Sequence, residues 1–166
     1  MKKIIAANWK MNLESSDIAQ FMEDIVPVAN NTSAEIVIFP PSTYLSQVAK
    51  AAGSKILVGS QNHYWEKPGA FTGEISGAML KEMGVEYVII GHSERRQYFG
   101  ETDATVNSRL KAALKAGLKP IVCVGETLAE REGGKTNDVI GRQLRDGLAG
   151  LTAADMANVP PWGTDS

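Results

Sequence analysis

Two side chains that could take part in catalysis lie where apolar segments of this sequence end. His92 follows the apolar residues 85–91, and Lys10 follows the apolar residues 3–8. In parallel α/β folds, ligands bind at the carboxyl ends of the strands. An imidazole there can polarise a carbonyl group or transfer a proton, and a lysine can stabilise an anionic substrate or a developing oxyanion. Each residue also has a structural interpretation, because His92 could cap a helix and Lys10 could point into solvent.

The residues around His92 favour a neutral imidazole. A helix is predicted to begin at or near Ser93, and the partial positive charge of a helix N-terminus disfavours a second positive charge on the imidazole. A neutral imidazole still donates a hydrogen bond to a carbonyl oxygen. Glu94 adds a carboxylate beside it. Asn8 and Lys10 are two residues apart, so both are expected to face the same side of an extended segment.

Other residues with reactive side chains are given structural roles. Cys123 lies inside an apolar run and is the sole cysteine, so we expect a buried side chain rather than a nucleophile or an internal disulfide. His63 follows the third apolar run without a helix start beside it and is predicted to be a loop residue. The sequence contains no cluster of metal ligands and no glycine-rich nucleotide-binding motif, so neither a metal nor a cofactor is predicted.

The composition is that of an ordinary globular domain. Hydrophobic residues make up 43% and charged residues 22% of the 166 residues, and the net charge is −2. This charge gives no electrostatic argument for nucleic acid or an anionic membrane as a partner. The apolar run at residues 3–8 is too short for a secretion signal or a membrane span, so a cytoplasmic location is predicted.

The elements that must position these side chains alternate between strands and helices. Five short apolar runs lack polar–apolar alternation, which is typical of parallel strands buried on both faces: residues 3–8, 35–40, 55–61, 85–91 and 119–125. Apolar residues at helical spacing lie between them. Predicted N-caps are Ser16 or Asp17 and Asp103, and predicted helix ends are Gly53, Gly84 and Gly117. Five β-α units require a parallel sheet with right-handed crossovers, in either an open doubly wound sheet or an eight-stranded barrel.

The end of the chain departs from this alternation. A sixth strand is due after residue 150, but the sequence there contains the prolines of the segment PPWGTDS. Proline cannot donate a ladder hydrogen bond, so the segment is a poor central strand. We therefore predict one α/β domain at residues 1–150 and an atypical tail at residues 151–166.

Several long segments, correctly ordered and spaced, resemble the triosephosphate isomerase family: residues 6–12, 60–62, 69–76, 89–103 and 119–132. The resemblance implies an α/β fold made of parallel (β/α) units of a TIM barrel, with about five of the eight units present and therefore a partial or open barrel. It also implies cofactor-independent interconversion of dihydroxyacetone phosphate and glyceraldehyde 3-phosphate through an enediolate, in glycolysis and gluconeogenesis.

The resemblance assigns roles to the residues at the strand ends. Asn8 and Lys10 would bind the triose phosphate, and Lys10 would stabilise the negative charge of substrate and enediolate. His92 would be the neutral electrophile, an arrangement for which this family is the standard example. Glu94 would support Lys10 and His92.

The resemblance also implies a homodimer. Residues 69–76 resemble the family's dimer loop, in which Thr72 would reach the active site of the neighbouring subunit. Arg96 and Glu101 would be structural partners, and Cys123 would pack near the site.

No catalytic base is identified in this sequence. In the family, a glutamate after the sixth strand removes the proton, and later loops bind the phosphate; residues 161–164 are at most a faint echo of that segment. Asp155 and Asp165 are the carboxylates near the end, and neither has a strand to position it. We therefore expect this chain, truncated after about five units, to be inactive alone. The alternative is a non-catalytic open α/β module for binding or interaction.

Overall fold

The computed structural model describes residues 3–160 and contains five strands alternating with helices. The strands are β1 (Ile4–Asn8), β2 (Glu35–Phe39), β3 (Ile56–Ser60), β4 (Tyr87–Ile90) and β5 (Lys119–Val122). The helices are α1 (Ser15–Asn30), α2 (Leu45–Ala51), α3 (Gly77–Glu82), α4 (Ser93–Tyr98), α5 (Asp103–Lys115), α6 (Leu128–Glu132), α7 (Thr136–Gly147) and α8 (Ala153–Met156). A 3₁₀ turn at Ser42–Tyr44 precedes α2.

The five strands form one parallel sheet in the order β1-β2-β3-β4-β5. A doubly wound sheet would reverse this order at a switch point, and no reversal occurs among the described strands. Right-handed crossovers in a sequential order place the helices on one face of the sheet and leave the other face concave. The structure is therefore a half-barrel, as expected for a partial TIM barrel, and not a doubly wound sheet.

Both faces of the sheet are apolar, which explains the absence of alternation in the strands. The larger cluster, on the helix-covered side, includes the fully buried Ile18, Leu80 and Leu110. The smaller cluster, on the concave side, contains Phe39 from β2 and Ile89 from β4. The Phe39 ring fills the space above Gly59, where a Cβ atom would lie 2.1 Å from the ring.

Strands β1 and β5 form the edges of the sheet within residues 3–160. On β1, Ile5 remains 54% exposed although it lies in a strand. The N–H groups of Lys119 on β5 and of Cys123 just after it donate to the carbonyls of Glu86, directly before β4, and of Ile90. Backbone N–H groups of alternate strand residues point to opposite sides. The nitrogen of Pro120 therefore faces away from β4, where the lack of an N–H is tolerated.

The helix ends agree with the predicted glycines, but the predicted N-caps are wrong by one to three residues. Gly53, Gly84 and Gly117 have φ of +62°, +78° and +74° just after α2, α3 and α5. The N-cap of α5 is Thr102 rather than Asp103, because the carboxylate of Asp103 pairs with arginines instead.

Helix α1 shows the same kind of displacement. Its N-cap is Glu14, not Ser16 or Asp17, and Asp17 accepts a hydrogen bond from the Glu14 N–H at 3.1 Å as the third helical residue. The hydroxyl of Ser15 points instead to Gln47. Both corrections arise because a polar side chain near a helix start has competing partners that spacing does not reveal.

The described part of the tail packs on the domain. Leu151 and Val159 contact the large core cluster, and α8 lies between them. The Asp155 carboxylate accepts from the backbone N–H and hydroxyl of Thr152 at 2.8 and 2.7 Å, and the pKa of Asp155 is lowered by these bonds. Asp155 is thus a capping residue. Residues 161–166, which contain the predicted echo segment and Asp165, lie outside the described residues, so the boundary at residue 150 stays a prediction.

No helix within residues 3–160 is long and apolar enough to cross a membrane.

Candidate active site

Lys10 enters the site through a turn in its backbone. Strand β1 ends at Asn8, and Lys10 then adopts a positive φ of 53°, which is unusual for a residue with a side chain. The side-chain oxygen of Asn8 accepts from the Lys10 N–H at 3.0 Å. The expectation of an extended segment is therefore wrong at Lys10, although both side chains do line the same cavity.

His92 is held by the start of α4. It is the N-cap residue, and its Nδ1 accepts from the backbone N–H of Glu94 at 3.2 Å. The side chain is buried. Because Nδ1 accepts a hydrogen bond, the matching neutral tautomer carries its proton on Nε2. The structural and the chemical interpretations of His92 are therefore compatible. Its Nδ1 caps the helix, and its Nε2 is left to act as a donor.

Glu94 connects the two groups. Its Oε1 lies 2.9 Å from the Lys10 ammonium, and its Oε2 lies 3.6 Å from Nδ1 of His92. The structure thus brings together the four residues predicted at the ends of β1 and β4. Asn8, Lys10, His92 and Glu94 line one cavity of about 220 Å³, together with Gln61 and others.

The segment that carries His92 is fixed from behind. Gly91 has a φ of +73°, and a Cβ atom there would lie 2.9 Å from Val106. Arg96 donates from Nε to the Gly91 carbonyl at 3.0 Å and pairs with Asp103 at 2.7 Å. These contacts hold the backbone where it leaves β4 and so help to set the direction of the imidazole.

Arg96 and Glu101 have structural partners, but they do not pair with each other. Arg96 binds Asp103, as described. Glu101 is buried and pairs with Arg95 and with Arg109, the latter at 3.4 Å. These contacts tie α4 to α5.

Gln61 also lies in this site, although the sequence analysis gave it no role. It follows β3 directly, at the same end of the sheet as Asn8 at the end of β1, so its position was a signal, but its partners were not predictable. Its Nε2 donates to the backbone carbonyls of Lys10 and Phe39 at 2.9 and 2.8 Å.

His63 lies away from this cavity. It is a loop residue, as predicted, but its near-complete burial was missed: the side chain is 1% exposed. Its two ring nitrogens have no hydrogen-bond partner among the described residues. Burial, and then the charge of Arg109, lower the pKa of His63 to about 4.

Thr72 is exposed in the loop between β3 and α3 and does not line the cavity of its own chain. Its predicted contact with a neighbouring subunit stays a prediction. Cys123 is buried in the concave cluster, as expected.

A second, larger cavity of about 840 Å³ lies at the carboxyl end of β5. Several of its charged groups form ion pairs within the cavity lining, among them Arg96 and Arg142 with Asp103. Glu126 lies 2.8 Å from Arg131 and accepts from Thr136, and these contacts hold the pKa of Glu126 below its ordinary value. Within residues 3–160, no group of three or more His, Cys, Asp or Glu residues is placed to hold a metal ion.

Comparison with known proteins finds one family that this chain resembles. The family model described as triosephosphate isomerase matches residues 3–161. The triosephosphate isomerase of Moorella thermoacetica is 55% identical over 167 aligned positions, which cover 97% of this chain and 67% of the relative. That of Thermoanaerobacter pseudethanolicus is 50% identical over 159 positions, covering 95% and 64%.

A solved structure agrees with the sequence relatives. The crystal structure of triosephosphate isomerase from Bartonella henselae matches with a TM-score of 0.84 and 41% identity, over 93% of this chain and 65% of that chain. The chain therefore spans 64% to 67% of the length of these relatives.

Proposed function

This chain belongs to the triosephosphate isomerase family, and we propose that its residues form the Lys10–His92 half of an isomerase site. The reaction is the interconversion of dihydroxyacetone phosphate and glyceraldehyde 3-phosphate, by proton transfer through an enediolate, in glycolysis and gluconeogenesis. The observation that carries the proposal is the meeting of Lys10, Glu94 and His92 in one cavity.

His92 is the proton donor and electrophile of this proposal. With Nδ1 accepting from the Glu94 N–H, the Nε2–H can donate to a carbonyl oxygen and stabilise the charge that develops on it. A neutral imidazole donates this hydrogen bond without carrying a positive charge. General acid–base groups of this kind typically contribute about 10²- to 10⁴-fold in rate.

Lys10 supplies the fixed positive charge. Its ammonium lies 2.9 Å from Glu94, and the side chain remains 48% exposed, so it is accessible to an anionic substrate. The Glu94 carboxylate lies beside both Lys10 and His92 and supports them, as the family resemblance implies. An ammonium in this place stabilises both the substrate's negative charge and the enediolate.

The base that removes the carbon-bound proton is the part that the site does not supply. Of the described residues that line the cavity, only Glu94 carries a carboxylate, and its oxygens face Lys10 and His92. The resemblance assigns the base to a glutamate after the sixth strand, and residues 151–166 contain no glutamate. We propose that residues 1–166 alone do not turn over substrate, because a base must lie within hydrogen-bond reach of the proton.

The remaining proposals follow from the family. They are a homodimer formed through residues 69–76, a reaction without a cofactor, and a cytoplasmic location. The exposed Thr72 at the tip of that loop is compatible with a contact in a neighbouring subunit.

A coupled isomerase assay tests the function. The chain is purified from a host without its own isomerase and assayed alone and with a polypeptide carrying the last three βα units of the Moorella thermoacetica relative. We expect no turnover alone, turnover when the two are combined, and loss of at least about 100-fold in His92→Ala or Lys10→Met. Lys50→Met, on the exposed surface of α2, is the matched control and should retain the combined activity.

Two results would contradict the proposal. Turnover by the chain alone that disappears in His92→Ala would show that a base is present. A combined preparation that is folded and associated, yet inactive over a range of concentrations, would show that the Lys10–His92 site is not competent.

A further inference from the structure

A single side-chain amide connects the carboxyl ends of three strands. Gln61 follows β3, and its Nε2 donates to the Lys10 carbonyl at 2.9 Å and to the Phe39 carbonyl at 2.8 Å. Lys10 follows β1, and Phe39 is the last residue of β2. The Phe39 carbonyl also accepts from the Trp9 N–H at 3.1 Å. Both donor positions of the amide are therefore directed at backbone carbonyls of neighbouring elements.

The carbonyl of Lys10 belongs to a strained residue. Lys10 has a φ of +53°, a conformation that typically costs a residue with a Cβ atom free energy and persists only when its surroundings determine it. The surroundings here include two side chains. Asn8 accepts from the Lys10 N–H, and Gln61 donates to the Lys10 C=O. The peptide groups on both sides of the Lys10 Cα are thus held.

The backbone conformation of Lys10 decides where its ammonium can go. The Cα–Cβ direction changes when φ moves from the left-handed to an ordinary region, and the long side chain follows it. In the observed conformation the ammonium lies 2.9 Å from Glu94, which belongs to α4. We therefore expect a Lys10 without these restraints to move toward an ordinary φ and to weaken this contact.

We propose that Gln61 is a positioning residue for Lys10: its amide holds the left-handed backbone that places the Lys10 ammonium beside Glu94 and His92. The positioning itself is independent of turnover, while its value for catalysis rests on the proposed function. These contacts require a glutamine, because its Nε2 group supplies two N–H donors and its side chain is long enough to reach both carbonyls. A glutamate has no donor, and an asparagine is one methylene shorter.

The first experiment measures the Lys10 amine directly. Purified chain is treated with an acetylating ester, and the extent of acylation at Lys10 is compared with that at the exposed Lys50 by mass spectrometry of the two peptides. Ion pairing keeps an amine protonated and unreactive, so Glu94→Gln sets the value for a lost pair. We expect Gln61→Met to raise the Lys10 to Lys50 ratio by about two- to fivefold, the range for loss of a half-exposed ion pair.

Gln47 provides a matched control for this change. It is also a glutamine whose Nε2 donates to a backbone carbonyl, that of Ser15, at 2.9 Å. Gln47→Met should leave the ratio unchanged. If circular dichroism shows that Gln61→Met is not folded, Gln61→Asn takes its place. Asparagine keeps the polar amide but is too short to reach both carbonyls. A folded Gln61 variant with the ratio of the unmodified chain would overturn the proposal.

The second experiment separates this inference from the proposed function. In the combined preparation described above, Gln61→Met should lower kcat/KM, and the loss should shrink when Lys10→Met is already present. If the combined preparation is inactive, the proposed function fails, but the acylation ratio still decides the role of Gln61. If it is active and Gln61→Met and Lys10→Met act independently, the positioning role is refuted.

Discussion

The loops that follow β3 and β4 each carry one of the two histidines, at the same end of the sheet, but their surroundings differ in kind. His92 follows β4, accepts a hydrogen bond from the Glu94 N–H and lines the cavity that contains Lys10. His63 follows β3, is 1% exposed, and has two ring nitrogens without partners among the described residues. Position at a strand end therefore does not make a histidine part of a site.

The neighbours of each ring cause the difference. A helix begins directly after His92 and presents an N–H group to Nδ1, while a carboxylate lies 3.6 Å away. His63 is instead close to Gly77 and is influenced by the positive charge of Arg109, and burial with that charge lowers its pKa to about 4. The first environment orients the imidazole through its Nδ1, and the second excludes the charged form of the imidazole.

The largest expected effect concerns Glu101, which links the two loops. It pairs with Arg95 of α4 and with Arg109, whose Nε donates to the Asn62 side chain beside His63. Its side chain is 3% exposed, so Glu101→Gln leaves two arginines without their buried anion. We expect the free energy of unfolding in urea at pH 7 to fall by about 3–5 kcal/mol.

A surface change gives the reference for Glu101→Gln. Glu132→Gln, on the exposed end of α6, should change the free energy of unfolding by less than about 0.5 kcal/mol. Hydrogen exchange should accelerate in both histidine loops of Glu101→Gln. A loss below about 1 kcal/mol, or exchange that accelerates in one loop only, would show that the loops are independent.

The second prediction concerns the pH dependence of the free energy of unfolding that His63 causes. An unfolded His63 binds a proton as pH falls below 6.5, whereas the folded residue does not until about 4. Acid therefore favours the unfolded state: stability is complete above pH 6.5 and is lost between pH 6.5 and about 4. The shift corresponds to roughly 3 kcal/mol at its full extent.

The measurement is the free energy of unfolding between pH 7 and pH 4 for the unmodified chain and for His63→Met. Other groups also titrate in this range, so the quantity is the difference between the two chains. His63→Met should remove roughly 3 kcal/mol of the acid loss. Equal acid losses in His63→Met and the unmodified chain would mean that burial of His63 does not exclude its charged form.

These contrasts mark what the sequence could predict. The five strands, and the meeting of Lys10 with His92, follow from apolar runs and from the rule that parallel strands present their carboxyl ends together. The burial of His63 was not predictable, because Arg109 and Gly77 approach it from other elements. The contacts of Gln61 were not predictable either, because its partners belong to other elements. In addition, no glycine marks the left-handed backbone at Lys10. Strand order, too, is a non-local property that periodicity leaves open.

The third prediction tests how β4 directs His92. Gly91→Ala would combine a backbone φ of +73° with a Cβ atom 2.9 Å from Val106. We expect a loss of about 2–3 kcal/mol in the free energy of unfolding, as backbone strain adds to a contact that must shift. Gly100→Ala isolates the backbone part, because Gly100 has a φ of +68° and open space around its Cβ position.

The difference in the loss of unfolding free energy between Gly91→Ala and Gly100→Ala gives the cost of the contact with Val106. Gly100→Ala should lose only about 1–2 kcal/mol. If both variants lose the same free energy of unfolding in urea, Val106 moves aside without cost, and its contact does not constrain the path of the chain into His92.

The smallest expected effect separates the two functions of His92. Its Nδ1 caps α4, so His92→Ala should lower the free energy of unfolding by about 0.5–1 kcal/mol in urea at pH 7. Asparagine is a better N-cap than alanine, and His92→Asn should therefore recover that loss while the combined isomerase activity remains absent. At residue 63 the same pair of changes should show no recovery, because an asparagine there would again bury polar atoms without partners. Recovery at both residues, or at neither, would mean that capping by His92 does not distinguish the two loops.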